Sequence, residues 1–202
     1  SKISTKIILL NNLLKKVDKL VVGGAMANTF LSAKGYNTGK SLIEKNKIKL
    51  AKEILEKAEK ENCKLILPKD VIVAKSIDDS DSIDNVNVEN IQDDFSAFDI
   101  GENTIETISN EMATCKTVFW NGPLGLYEKV PFDNSTNIIG RTAAILTKGN
   151  IITSVVGGGD TVAALNKAKL TGGFSFVSIA GGALVEWLEG KVLPGLEFLN
   201  KS

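Results

Sequence analysis

The chain contains no histidine. That removes a histidine general base and any histidine-ligated metal from its chemistry. Arginine is nearly as scarce: Arg141 stands alone among lysines. Any anion clamp on this chain must therefore come from lysine, a metal ion, helix termini, or an arginine supplied from elsewhere. Only two cysteines occur, Cys63 and Cys115, far apart in sequence. They form no disulfide framework, and they fit a reducing cytoplasm. Long hydrophobic runs are missing as well. The apolar stretches are short and interrupted, so neither a signal peptide nor a membrane span is expected. Neither sign of charge is in excess. The formal net charge is 0, which implies no nucleic acid or other polyanion as partner.

What is present is a globular composition, 43% hydrophobic and 24% charged over 202 residues, enough for one domain with a real core. Ile151–Leu165, IITSVVGGGDTVAAL, is the stretch around which the rest is organised. A β-branched apolar run ends in three glycines, and an apolar-spaced segment follows from Val162. The pattern predicts strand, tight turn, helix. A helix N-terminus presents unpartnered N–H groups and partial positive charge, and glycines let an anion approach them. Asp160, expected at the N-cap, either caps the helix or holds a magnesium ion against phosphates. The glycines in front of it, and three similar turns elsewhere, favour magnesium.

The same theme recurs along the chain. A helix is expected over Ile7–Val17 and a strand over Leu20–Val22. Gly23-Gly24 then leads into a helix over Ala25–Ala33. A lysine- and glutamate-rich amphipathic helix is expected over Leu42–Glu61, with strands at Lys64–Leu67 and Val71–Ala74. Asp78–Asp94 is an acid-rich segment expected as a solvated excursion of short strands and turns, without the register of a calcium loop. A helix over Thr104–Thr114 and a strand over Thr117–Trp120 lead into Asn121–Glu128, NGPLGLYE. A helix over Asp133–Thr147 precedes the glycine-loop strand. A last strand, Phe174–Ile179, ends in Gly181-Gly182 before helical segments at Ala183–Leu188 and Leu193–Asn200. Alternating strands and helices predict an α/β three-layer sandwich with a mainly parallel, Rossmann-like sheet.

Two motifs mislead. Gly35–Ser41, GYNTGKS, has three residues between its glycines where a Walker A loop needs four, and it follows a helix, so it reads as a surface turn. Asn134-Ser135-Thr136 matches a glycosylation acceptor by chance in a chain without a secretory signal.

Four expected strands end in glycine or Asn-Gly turns, at Gly23, Asn121, Gly157 and Gly181. Strand ends of an open parallel sheet share one edge, and ligands bind there. A nicotinamide dinucleotide is disfavoured: the third glycine of that fingerprint would fall at Val162, and Ser178-Ile179-Ala180 offers no acid. A mononucleotide with magnesium is favoured. Glu128 can accept from ribose hydroxyls, Asn121 can donate to a phosphate, and Pro123, Leu126 and Leu42 can wall a base.

The ordered set SKISTK, GGAMANTF, WNGPLGLYE, GGGDT and SIAGGALVEWLEGKVLPGL closely resembles the C-terminal, nucleotide-binding domain of phosphoglycerate kinases of bacterial type. The likeness covers essentially the whole chain and about half the family's usual length. It implies reversible phosphoryl transfer between ATP and the carboxylate of 3-phosphoglycerate, in a cytoplasmic monomer. By matching position it implies that Lys2 and Lys6 contact the phosphates and the phosphoryl group in flight. Gly23, Gly24, Leu42, Pro123, Gly125 and Leu126 would line the adenine pocket. Glu128 would hold the ribose and Asn121 a phosphate. Gly157, Gly158, Gly159 and Thr161 would lie at the phosphates, Asp160 would hold Mg2+, and Gly181 and Gly182 would offer amides to the transferring group. The 3-phosphoglycerate site is expected on an N-terminal domain outside this chain, leaving residues 1–202 as one nucleotide-binding domain that does not complete the transfer alone. Ala25 departs from a common third glycine, and Ile179-Ala180 from Thr-Gly.

Overall fold

The computed structural model describes residues 3–178, with the side chains of Lys6 and of residues 8–178. Lys2, Ile179, Ala180, Gly181, Gly182 and the two expected C-terminal helical segments lie outside the described residues. In chain order the elements are α1 (Ile3–Leu13), β1 (Lys19–Val21), α2 (Gly24–Ala33), α3 (Ile48–Lys60), β2 (Lys64–Ile66), β3 (Asp70–Ala74), β4 (Asp84–Asn87), β5 (Ser96–Ile100), α4 (Glu102–Ala113), β6 (Thr117–Asn121), α5 (Asn134–Lys148), β7 (Thr153–Gly157), α6 (Gly159–Lys167) and β8 (Phe176–Ser178). Single 3-10 turns occupy Lys45–Lys47, Ser80–Ser82, Val88–Asn90 and Thr171–Gly173.

The parallel strands form two groups, β1–β2 and β6–β7–β8. Successive residues on a strand face opposite ways, and both faces of β1–β2 are covered. Val21 and Ile66 pack with Ile105, Ile108 and Met112 of α4 and with Trp120. Leu20, Val22 and Leu65 turn the other way, onto Leu10 of α1 and the adjacent Leu14, Phe30 of α2, and Ala51 and Ile54 of α3. The result is the expected α/β layering, with helices flanking mainly parallel strands. Among the described residues no helix is long and apolar enough to cross a membrane.

Three expectations are corrected. The segment expected as one helix over Leu42–Glu61 becomes helical only at the Lys45 turn. Asn28 Nδ2 donates to the Leu42 carbonyl at 3.5 Å, and Thr29 Oγ1 accepts the Glu44 amide at 3.0 Å. These bonds to α2 hold residues 42–44 out of the helical path. Helix α1 begins at Ile3 rather than Ile7, which puts Lys6 on a helix. The expected strand at Val71–Ala74 and a short strand of the excursion, with an unexpected strand β5, form a third sheet, β4–β3–β5, that is antiparallel rather than parallel. The acid-rich excursion forms its outer part, while β5 brings buried Ile100 and Asp99 alongside β3.

The surface turn at Gly35–Ser41 is indeed a turn, with Gly35 and Gly39 at positive φ. It is anchored from below. Lys40 N–H donates to the Phe95 carbonyl at 2.7 Å, and Ser41 Oγ accepts the Ala97 amide at 2.8 Å.

The N-cap of α4 is Gly101, which has no side chain with which to cap it. Asp70, only 1% exposed on β3, does so instead. Its carboxylate accepts the Asn103 and Thr104 amides at 2.9 and 2.8 Å and the Thr104 hydroxyl at 2.5 Å. A Cβ on Gly101 would lie 2.4 Å from Asp70 Cγ, so the close approach requires glycine. Replacing Asp70 with Ala orphans these buried donors. It should cost about 2–4 kcal/mol in urea unfolding, well above a surface substitution.

Candidate functional site

The site is built where three strands stop. After β1, Gly23 runs extended and Gly24 turns at φ +59°, and together they start α2. The Gly24 amide donates to the Leu124 carbonyl at 2.9 Å. A Cβ on Gly23 would lie 2.8 Å from Leu124 Cδ2, so the first corner packs directly on the second. Ala25 lies inside the first turn of α2, a conformation that accommodates its methyl group.

The second corner follows β6. Gly122, at φ +100°, reverses the chain. The loop beyond it is tied at several points. Gly122 N–H donates to Thr161 Oγ1 of α6 at 2.6 Å. Leu124 N–H donates to Thr136 Oγ1 of α5 at 3.1 Å, and Leu126 N–H to the Phe98 carbonyl of β5 at 2.9 Å. Lys167 Nζ, from α6, donates to the Tyr127 carbonyl at 2.9 Å and pairs with Asp133 at 3.3 Å. The stretch expected to wall a base and hold a ribose is thus pinned to β5, α5 and α6 at once. Leu42 remains 65% exposed on its own side of α2, and Glu128 is exposed.

The third corner follows β7. Gly158, at φ +97°, is the N-cap of α6, which begins at Gly159. Asp160 therefore sits in the first turn rather than at the expected N-cap, and it is exposed. The cap residue has no side chain, and the first helical bond runs from Val162 N–H to the Gly158 carbonyl at 3.0 Å. The amides of Gly159, Asp160 and Thr161 precede the intrahelical ladder. Space in front of Gly159 is open, with nothing within 4 Å of where a Cβ would stand.

Asn121 joins the corners. Its Nδ2 donates to the Gly157 carbonyl at 2.9 Å, and its Oδ1 accepts from Lys6 Nζ of α1. A Cβ on Gly158 would come within 2.6 Å of Asn121 Nδ2, so this corner too requires glycine. The structure therefore brings together Lys6, Gly23, Gly24, Asn121, Pro123, Gly157, Gly158 and Thr161, with Asp160 on the open side. Tyr127 stands near both acids. Burial, and then the charges of Glu128 and Asp160, raise its phenol above the ordinary value.

Sequence reasoning missed Asp99, Thr136 and Lys167. Asp99 is 4% exposed on β5. It accepts the Ile100 and Ser135 amides at 2.8 and 3.0 Å and bonds the Ser135 hydroxyl, so it caps α5 from a neighbouring strand. Burial pushes its carboxyl up from 3.8 to about 7; the Ser135 and Ile100 bonds oppose this, and the charge of Asp133 adds to it. The folded carboxyl keeps its proton up to about pH 7, whereas an unfolded aspartate releases it near 3.8. This group therefore subtracts stability as pH rises through that interval, and the loss is complete above it.

Comparison with known proteins places the chain. The family model described as phosphoglycerate kinase matches residues 1–191. The phosphoglycerate kinase of Novosphingobium aromaticivorans is 48% identical over 201 residues, 99% of this chain and 51% of that protein. That of Methylorubrum extorquens strain PA1 is 50% identical over 200 residues, 99% of this chain and 50% of its own. The solved structure of phosphoglycerate kinase from Coxiella burnetii superposes with a TM-score of 0.92 at 46% identity, covering 99% of this chain and 50% of that one. The enzyme from Pyrococcus horikoshii gives 0.80 at 25% identity, with the same coverage. The chain spans about half the length of the curated relatives it matches.

Proposed function

The chain belongs to the phosphoglycerate kinase family, and on that premise we propose that it supplies the Mg-ADP/ATP site for phosphoryl transfer between ATP and 3-phosphoglycerate. In this reaction a carboxylate oxygen of 3-phosphoglycerate attacks the γ-phosphorus. The bond to the β-phosphate oxygen breaks, giving ADP and 1,3-bisphosphoglycerate, and the transfer is reversible. The observation that carries the reading is the junction at Asn121, where Lys6 of α1 meets the glycine corner of α6.

Phosphoryl transfer asks a protein chiefly for alignment and charge compensation. The residues present suit that task. The N-terminus of α6, with open Gly159 and unladdered amides, offers donors to the phosphates of the nucleotide. Lys6 brings a cation to the same junction. Lys2, Gly181 and Gly182 belong to the same proposed set by family position. Pro123, Gly125 and Leu126, with Gly23, Gly24 and Leu42, would enclose the adenine, and Glu128 would hold the ribose.

The donor set also suits magnesium. Among the described residues no group of three acids or cysteines forms a preformed cage. A lone exposed carboxylate, Asp160, beside a phosphate-binding turn is the arrangement Mg2+ accepts, since it keeps most of its waters and takes phosphate oxygens. When bound there, the ion neutralises phosphate charge. The acceptor site belongs to an N-terminal domain, and closure of the two domains would exclude water from the transfer. Both cysteines are free, in keeping with a cytoplasmic protein. The protein acts as a monomer, with residues 1–202 as its nucleotide domain.

Titration calorimetry with Mg-ADP tests the binding claim, with saturable heat expected at sub-millimolar nucleotide. No heat at millimolar concentration would contradict it. A transfer assay on the 202-residue chain tests the division of labour. No turnover is expected, and turnover would show that the acceptor site had been misplaced.

A further inference from the structure

The floor beneath the adenine loop is a buried acid. Gly125 lies so close to Asp99 that a Cβ there would stand 2.1 Å from Asp99 Oδ1 and 2.5 Å from the Phe132 carbonyl. Asp99 in turn gathers three donors, the Ile100 amide and both the amide and the hydroxyl of Ser135. One carboxyl group thus touches the loop from below, ends β5, and holds the first turn of α5. The next loop residue, Leu126, is hydrogen-bonded to Phe98, the neighbour of Asp99 on β5.

We propose that Asp99 is a positioning residue for the adenosine end of the nucleotide: it sets the 123–128 loop through Gly125 and Ser135, and its protonation weakens adenosine binding. This rests on the nucleotide reading of the site. The ionised carboxylate accepts all three donors in charge-assisted bonds, which are stronger than those of the neutral acid. Protonation at the open site of Oδ2 removes the charge and weakens all three bonds at once. The floor under Gly125 then loosens.

The charged surroundings are few. Asp133 at the head of α5 repels the carboxylate and is itself paired with Lys167 of α6. Across β3 the facing residue is Ile72, and the acid of that strand, Asp70, is turned to the amides of α4. The adenine loop presents Gly125. The buried carboxyl titrates at about 7, and no histidine exists anywhere in the chain to titrate beside it.

Adenosine is the probe, because it carries no phosphate that titrates in this range. Its dissociation constant is measured between pH 5.5 and 8.5 for the protein and for Asp99→Asn, with Mg-ADP binding as a parallel control. Acidification through pH 7 should weaken adenosine about threefold to tenfold, the worth of one such bond. Asp99→Asn should flatten that profile. Ser135→Ala, which keeps the carboxylate but removes one donor, should move the inflection to higher pH, and it serves if Asp99→Asn does not fold. A merely structural Asp99 would alter the unfolding midpoint and leave the adenosine profile alone. A flat wild-type profile, affinity that rises on acidification, or an inflection unmoved in the variants would overturn the proposal while leaving Mg-ADP binding intact. Failure of both ligands at every pH would instead overturn the nucleotide reading itself.

Discussion

Asp160→Ala should weaken Mg-ADP binding by about a hundredfold while the protein stays folded. The residue is exposed in the first turn of α6 and makes no cap bond, because the cap position is Gly158. Its contribution to the fold is therefore limited to a negative charge near a helix N-terminus, about 0.3–1 kcal/mol. Its contribution to a magnesium nucleotide would be far larger under the proposed function, since among the described residues it is the carboxylate at that turn. The two roles separate in one experiment. Calorimetry with and without Mg2+ should show the magnesium-dependent gain vanish, with the unfolding midpoint nearly unmoved. A purely helical role for Asp160 would give the reverse: a lower midpoint and an unchanged response to magnesium.

If the proposed function holds, Lys6→Ala should lower the rate of phosphoryl transfer, assayed with the chain joined to an N-terminal domain, by about 10²–10³-fold. The cation stands at Asn121, where α1 reaches the junction of β6 and β7. In the proposed role a lysine there would compensate charge that spreads over the phosphoryl oxygens in transit, and no arginine lies nearby in sequence to replace it. Nucleotide affinity should fall much less than kcat, because the amides of α6 and the proposed magnesium ligand Asp160 remain. Coupled-assay kinetics give both numbers. A kcat within about threefold of wild type would mean that Lys6 only braces Asn121.

Much of this arrangement was legible in the sequence, for a physical reason. Glycines at Gly23, Gly122 and Gly158 stand where backbone must turn at unusual φ or approach another chain segment closely, and few other residues fit. Strand, glycine and helix thus announce a corner wherever they occur. Parallel pairing of β6 with β7 sets two corners side by side, and the Gly24–Leu124 bond joins the third. The helix boundaries were less legible because tertiary bonds decided them. Bonds from α2 to residues 42–44 delayed α3, and α6 started before the apolar pattern did.

The buried acids were not legible at all. Asp70 and Asp99 sit in short strands and cap α4 and α5 from outside those helices, so no local capping pattern points to them. By contrast, α2 and α6 start on glycine corners whose cap residues have no side chain to offer. Buried carboxylates close the first turns of α4 and α5. The two that face the site begin open. Strand β5 was overlooked for a related reason: SAFDI alternates weakly and follows an acid-rich stretch, and its place is set by pairing with β3.

The most direct test is a map of amide chemical shifts as Mg-ADP is added to isotopically labelled protein. The largest changes are expected at Gly24, Gly122, Gly158, Gly159, Asp160 and Thr161, with smaller ones along 123–128. Changes centred instead on the groove between α3 and α4, around Cys63, Lys64 and Thr107, would contradict it.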